Sequence, residues 1–443
     1  MADSSAVSDE PHQSRHLLND EAKQRRSEKA AAARTKLEEI NNQLNDPLSK
    51  RAAAVHKRER KRLVALLARH KYHHIEDLPT EILGEIFGHV LPEYPARSAI
   101  VGLDSPYALA EVCHRWREIV MDTPRFWAGL TIALHNNRLL PFKLEFIQKA
   151  LERSKTRPLS ILLRSDHGIP ILPNVIRLLF KHCARWEHLT LDLPGTLNQA
   201  AFSYAAVEEL PLLKTLTIMP AARYDVHYIL PQFLRLFVAA PHFQRLLQGH
   251  VADTETLHLL PLELLTHLTL EDVELSRLAA VLKETRALVH CCARPQVRTL
   301  RPVPHAFTPI TLPSLKTLIL QDLNIDTVDG PNFLDALTLP ALKSLELGEL
   351  LLGAEPLRIL TSLIQRMAHN KLDSLFIGRT SHHSASQWQN RSDEVVMGEC
   401  KRALSRVGSI EIGKAKSIES RGLYFGAGFQ MDDPVNDERT WRL

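Results

Sequence analysis

Pro211-Leu212-Leu213-Lys214-Thr215-Leu216-Thr217-Ile218 returns nearly unchanged as Pro313-Ser314-Leu315-Lys316-Thr317-Leu318-Ile319-Leu320 and as Pro340-Ala341-Leu342-Lys343-Ser344-Leu345-Glu346-Leu347. Each copy follows the pattern Pro-x-Leu-Lys-x-Leu-x-aliphatic. Looser copies are Trp186-Glu187-His188-Leu189-Thr190-Leu191, Leu265 to Leu270, and Leu372-Asp373-Ser374-Leu375-Phe376-Ile377. Leu189 to Leu216 and Leu318 to Leu345 are both steps of 27 residues. The gaps Leu216 to Leu268 and Leu268 to Leu318 are about twice as long, so each should hide one degenerate copy. Pro241-His242-Phe243-Gln244-Arg245-Leu246 and Pro295-Gln296-Val297-Arg298-Thr299-Leu300 fill them. A similar spacing links Leu162 to Leu189, and Val407, Ile410 and Ile412 supply a last copy.

This period lies in the range of leucine-rich repeats, where each unit gives one strand and one helical return and neighbouring units share a Leu core. It accounts for the Leu excess of the chain, whereas an ordinary α/β domain predicts no recurrent motif at constant spacing. The Asn that such repeats place after the strand is mostly missing, with Asn324 the nearest candidate, so the repeats are irregular. In a solenoid the residues flanking the Leu positions face a ligand. The candidates are His188, Thr190, Lys214, Thr215, Thr217, His267, Thr269, Lys316, Thr317, Lys343, Ser344 and Glu346.

Upstream, Asp77-Leu78-Pro79-Thr80-Glu81-Ile82-Leu83 opens a helix, with Pro79 where a fixed φ and a missing N–H cost nothing. Ile82, Leu83, Ile86, Phe87 and Val90 follow at helical spacing, and Pro92 and Pro95 end the run. A second helix is expected from Ser105-Pro106, with Leu109, Val112, Cys113, Trp116, Ile119 and Val120 on one continuous apolar face. Thr123-Pro124-Arg125-Phe126-Trp127 restarts the chain, and Leu130-Thr131-Ile132 alternates like a short strand.

The ordered set Leu78-Pro79-x-Glu81-Ile82-Leu83, Ile86-Phe87, Val112-Cys113-His114-Arg115-Trp116-Arg117 and Pro124-Arg125-Phe126-Trp127 resembles the F-box family. The helix ending in Arg153-Ser154 before a Pro158-Leu159 strand is similar to an arrangement in fungal F-box-like domain proteins. The resemblance implies that Leu78, Pro79, Ile82, Leu83 and Ile86 bind the Skp-type adaptor of a cullin-based ubiquitin ligase. Phe87, Val112, Trp116 and Trp127 are then expected in the core of the F-box. The connection from Leu91 to Asp104 is longer than usual for that family.

Ahead of this module lie residues 1–14, rich in Ser, Asp, Glu and Pro and expected to be disordered. Residues 15–72 read as a basic helical arm: Leu37, Ile40 and Leu44 share one face, Asn45-Asp46-Pro47 breaks the helix, and Leu48, Val55, Leu63, Leu66 and Leu67 mark a second one. The first 75 residues hold 16 Lys and Arg against 10 Asp and Glu, six of the excess positive charges in a chain whose total is +4. The basic run Lys57 to Arg62 reads as the solvated face of this arm or as a nuclear-import patch, and nucleic acid is not expected because no aromatic residues interleave with it.

The five cysteines are odd in number and lack metal-ligand spacing, which suits free thiols in cytoplasm or nucleus. No apolar run is long enough to span a membrane. No catalytic, cofactor-binding or metal-binding residues are expected: the chain lacks nucleophile-elbow and phosphate-loop motifs, and Gly426-Ala427-Gly428, Cys291-Cys292, His73-His74 and His382-His383 lack the partners such sites need.

The fold class expected is α+β: N-terminal α-helices and a helical F-box over 75–130, followed by an α/β leucine-rich-repeat solenoid over 131–420 and a tail or cap over 421–443. The function expected is non-enzymatic: an adaptor that holds a Skp-type subunit and cullin scaffold at one end and an unknown target protein at the other. The alternative is a repeat scaffold outside any ligase, its basic arm serving, as a coiled coil, self-association or nuclear targeting.

Overall fold

The computed structural model describes residues 10–45, 50–71, 75, 78–135, 140–165, 169–193, 209–220, 240–248, 257–296, 307–321, 333–367, 371–379, 388 and 391–414. The chain divides into two compact units, residues 1–83 and 84–443.

In the first unit, α1 (Glu10–Asn45) and α2 (Lys50–Lys71) form an antiparallel pair. Ala33, Ile40 and Leu63 are buried together, with Leu37 and Leu67 packed against them. Lys36 reaches Glu59 across the pair at 3.6 Å. Lys57, Arg58, Arg60, Lys61 and Arg62 are all exposed, so the basic run is the solvated side of α2. The helix starts at Glu10, so residues 10–14 are helical where disorder was expected; residues 1–9 lie outside the described residues. Helix α3 (Thr80–Val90) begins after Pro79, and Glu81 in its first turn complements the positive end of the helix dipole.

The second unit continues with α4 (Pro106–Ala110) and α5 (His114–Asp122), where the sequence suggested one helix. A turn at Glu111 and Val112 separates them, and the Cys113 thiol caps α5 by accepting the Trp116 N–H at 3.5 Å. The break turns Val112 away from the face on which a continuous helix would have placed it.

A twelve-stranded parallel sheet follows, open at both edges. Its strands are β1 (Ser98–Ala99), β2 (Gly129–Leu134), β3 (Leu159–Ser165), β4 (Trp186–Leu193), β5 (Thr215–Pro220), β6 (Arg245–Gln248), β7 (His267–Glu274), β8 (His290–Gln296), β10 (Thr317–Leu320), β12 (Ser344–Gly348), β13 (Leu372–Arg379) and β14 (Val407–Lys414). The short strands β9 (Ile310–Thr311) and β11 (Leu337–Thr338) pair separately. Spatial order equals chain order, and a parallel neighbour needs a crossover after every strand. Described returns include α6 (Leu140–Arg153), α7 (Leu172–Phe180), α8 (Leu275–Glu284), α9 (Pro356–Arg366) and α10 (Asp393–Ala403).

One row of residues runs through the sheet in register: Leu130, Ile161, Leu189, Leu216, Leu246, Leu268, Cys291, Leu318, Leu345, Leu375 and Ile410. All but Ile410 are at most 1% exposed. Each rung removes a whole side chain from water, a transfer worth about 2 kcal/mol for Leu. The 27-residue steps in the sequence are therefore steps between neighbouring strands.

Two expected copies sit differently. The strand between Leu268 and Leu318 is His290–Gln296 with Cys291 on the rung, not Pro295–Leu300, whose residues 297–300 lie outside the described residues. A buried Cys is small and apolar enough to replace Leu there. In β3 the rung is Ile161, not Leu162, because the register shifts between Leu159 and Ser160, and one residue of slip moves a side chain to the other face.

The long connection after α3 is used in full. Ser98 and Ala99 pair with Leu130 and Thr131 as the edge strand. Ahead of them, the Ser160 hydroxyl donates to the Pro95 carbonyl at 2.6 Å and accepts from Arg97 Nε at 2.9 Å. The Tyr94 hydroxyl donates to Glu187 at 2.5 Å. Gly129 is demanded by this crossing, since a Cβ there would stand 2.4 Å from the Ala96 carbonyl oxygen. No linker marks the boundary expected after residue 130, because β2 spans it. The expected tail, 421–443, lies outside the described residues. Among those described, no helix is long and apolar enough to cross a membrane.

Candidate functional site

Helix α3 carries two apolar stripes. Leu83, Phe87 and Leu91 recur at four-residue steps and are 0%, 0% and 8% exposed. Beside this stripe Pro79 is exposed, Ile82 is 48% exposed, Ile86 is half-buried and Val90 is 64% exposed. Steps of three and four place these four on one face. Leu78, just before the helix, is half-buried, and Ile75 is 44% exposed.

Of the residues expected to face an adaptor, Pro79, Ile82 and Ile86 thus share the exposed stripe. Leu83 does not: it lies on the buried stripe, one position on from Ile82 and therefore rotated by about 100°. Val90 belongs to the exposed stripe and was not singled out, although its four-residue step from Ile86 was the signal.

The far side of α3 is held by aromatic and guanidinium groups. The Phe87 and Trp116 rings meet at 4.6 Å, with Trp116 half-buried. Arg125 Nη2 donates to the Gly84 carbonyl at 2.7 Å, and Nη1 pairs with Glu85 at 2.9 Å. Gly84 and Gly88 leave room for that side chain, since a Cβ on Gly88 would come within 3.4 Å of Arg125 Nη2.

Trp127 is 1% exposed, and its indole N–H donates to the Val120 carbonyl at 2.9 Å. Arg153 stands 4.8 Å over its ring and donates to the Tyr107 hydroxyl at 2.5 Å, while Ser154 receives Arg185 at 2.5 Å. The Arg153-Ser154 pair therefore ties α6 to both the module and the turn that leads into β4. Among the four residues expected in the core, Phe87 and Trp127 are buried and Trp116 is half-buried. Val112 is 60% exposed, because the turn between α4 and α5 carries it outward.

The sheet's second candidate surface is the face opposite the Leu rungs. One position before each rung stand Ser160, His188, Thr215, Arg245, His267, His290, Thr317, Ser344, Ser374 and Ser409 in register. One position after stand Thr190, Thr217, Leu247, Thr269, Cys292, Ile319, Glu346 and Phe376. All twelve residues expected to flank the Leu positions fall in these rows or, for Lys214, Lys316 and Lys343, immediately ahead of them. Lys214 is engaged by Glu187 at 2.5 Å.

Burial pushes the pKa of His188 down to about 4, against the opposing pull of Glu187. Burial, then the charge of Arg245, does the same to His267, also to about 4. Cys183, Cys291, Cys292 and Cys400 are buried thiols, and burial pushes Cys291 and Cys400 upward, Cys400 to about 11. Among the described residues no group of three or more His, Cys, Asp or Glu could hold a metal ion. His73, His74, His382 and His383 lie outside them.

A short helical module with an apolar stripe left open, continuous with a long row of parallel strands, is an architecture for protein–protein interaction. Residues 75–133 match the family model for F-box-like domains, which commonly bind Skp-type adaptors. The matched span contains α3, α4, α5 and most of β2. No curated protein is significantly similar to the chain.

Proposed function

We propose that this protein is a substrate-recruiting F-box adaptor of a Skp–cullin–F-box ubiquitin ligase, acting in cytoplasm or nucleus and without chemistry of its own. The observation that carries the reading is the exposed stripe Pro79, Ile82, Ile86 and Val90 inside the segment that matches the F-box-like family. Each aliphatic side chain on it would gain about 1–2 kcal/mol on being covered, so a partner of matching shape would be held mainly by apolar burial. The strands and their returns are irregular leucine-rich repeats in this reading, and their polar face takes a target protein. Holding target and ligase on one chain raises the effective concentration of the target at the ubiquitin carrier.

The test is co-purification of the full chain with a Skp-type adaptor and cullin. The wild type is expected to bring both down, and Ile82→Asp with Val90→Asp to bring down neither while keeping the circular dichroism of the wild type. Absence of the adaptor from the wild-type preparation overturns the proposal.

A second reading, a repeat scaffold outside the ligase whose arm self-associates, draws on Val55, Val64 and Leu66 of α2, which are 62%, 47% and 41% exposed. Sedimentation of the full chain separates the two: a concentration-dependent dimer that Val55→Asp with Leu66→Asp makes monomeric favours the scaffold, and a monomer at all concentrations removes it.

A further inference from the structure

Charge is not uniform where the polar face meets the strand starts. From β6 to β12 the two rows at the start of the strands hold Gln244, Thr266, Val289, Lys316 and Lys343, then Arg245, His267, His290, Thr317 and Ser344. No carboxylate stands at any of these ten positions. Lys316, Lys343 and His290 are exposed. The Lys343 N–H donates to the Lys316 carbonyl at 2.9 Å, so the two lysines sit one strand spacing apart, about 4.8 Å. The imidazoles of His267 and His290 lie beside them, ring centroids 4.7 Å apart.

Carboxylates bound this stretch without entering it. On one side Glu187 is engaged by Lys214 and Tyr94, each at 2.5 Å. On the other side Asp373 follows Lys343 along the strand starts. Glu346, on the far side of the rung, is 7% exposed and accepts from Gln321 at 3.3 Å. The charge of Lys316 and Arg245 is felt within the stretch, where both depress the His290 pKa after burial has done so.

We propose that this stretch binds an anionic peptide segment of the target, carrying Asp and Glu or phosphorylated side chains, laid across the starts of strands β6 to β12. The inference rests on the reading of the polar face as the target-binding surface. Four strand spacings span about 19 Å, the reach of roughly six extended residues. Lys316 and Lys343 supply charge-assisted hydrogen bonds to carboxylate or phosphate, and Thr317 and Ser344 supply hydroxyls to the peptide backbone. A peptide fits better than a nucleic acid: the ten positions hold no Phe, Tyr or Trp to stack on bases, and so short a stretch neutralises few phosphates.

The experiment is fluorescence anisotropy on the full chain with four labelled probes: a decapeptide with four Glu, the same peptide with four phosphoserines, the same with four Lys, and a ten-nucleotide oligothymidine. Binding of the Glu or the phosphoserine peptide, weakening with salt, and no binding of the Lys peptide are expected. Whichever of the two binds tighter identifies the source of the negative charge. Lys316→Glu with Lys343→Glu should weaken it by about tenfold or more, and the milder Lys316→Gln with Lys343→Gln by a smaller factor in the same direction. No binding of either anionic peptide, equal binding by the Glu variant, or tighter binding of the oligonucleotide overturns the proposal. Adaptor co-purification of the same variants reads the ligase function separately: it should be unchanged, and its loss in the wild type with peptide binding intact would remove the ligase reading alone.

Discussion

The helical module and the strand array are both built on buried apolar side chains, but they specify their positions in different ways. In the module each large residue has partners of its own: Phe87 meets Trp116, Trp127 bonds to Val120 and lies under Arg153, and Arg125 fills the space left by Gly84 and Gly88. In the array a side chain is placed by register alone, and Leu, Ile and Cys follow one another on the same rung. The module is therefore intolerant of substitution at single points, whereas the array spreads its stability over many equivalent ones.

The largest effect that would sharpen this contrast is expected from Trp127→Ala. It removes a fully buried indole together with its hydrogen bond and the seat of Arg153, at a cost of about 4 kcal/mol. Leu345→Ala, on a central rung, should cost about 3 kcal/mol. Chemical denaturation followed by tryptophan fluorescence and by far-ultraviolet dichroism compares them. Trp127→Ala should lower both transitions by more than Leu345→Ala does, since the array spreads its stability over many equivalent rungs. Identical, coincident losses in the two variants would show that module and array unfold as one body and would break the comparison.

Those modes of placement also explain what could be read from the sequence. The repeat steps were legible because Leu recurs at near-constant spacing, and the module because Pro79, Trp116, Pro124 and Trp127 are types with few alternative uses. Cys291 is not legible as a rung, since a Cys does not mark the repeat and Leu300 offers a Leu nearby. Ile161 and Leu162 are equally apolar, and only the register shift in β3 decides between them. Leu83 and Val112 were misplaced for a different reason. Both are apolar and correctly spaced, and exposure at such positions is settled by packing across the chain and by a break between α4 and α5 that helical periodicity does not announce.

A smaller effect acts on the array through acid. His188 and His267 are held neutral, each with its pKa depressed to about 4 from an ordinary 6.5, first by burial. In the unfolded chain both take up a proton near pH 6.5, so between pH 6.5 and 4 the unfolded state binds more protons and is favoured as pH falls. The folded state is thus fully stable above about pH 6.5 and loses stability toward pH 4. Because both rings retain solvent contact, the loss is modest. Thermal midpoints across that range should fall, and His188→Asn with His267→Asn should flatten the slope relative to the wild type. An unchanged slope would mean that neither ring is shielded in the folded chain.

The smallest effect is expected where the module departs from its motif. Val112 occupies a position of the Val-Cys-x-x-Trp pattern, yet it is 60% exposed at the turn between two helices. If the motif residue were core, Val112→Asp would bury a carboxylate and cost several kcal/mol. On the observed surface it should change the unfolding free energy by no more than about 0.5 kcal/mol. Leu83→Asp is its counterpart: beside Phe87 on the buried stripe, it should destabilise the module by about 3 kcal/mol. The pair of variants, expressed side by side and compared by soluble yield and denaturation midpoint, tests the inversion directly. A strongly destabilised Val112→Asp beside a tolerated Leu83→Asp would return Val112 to the core and Leu83 to the exposed stripe.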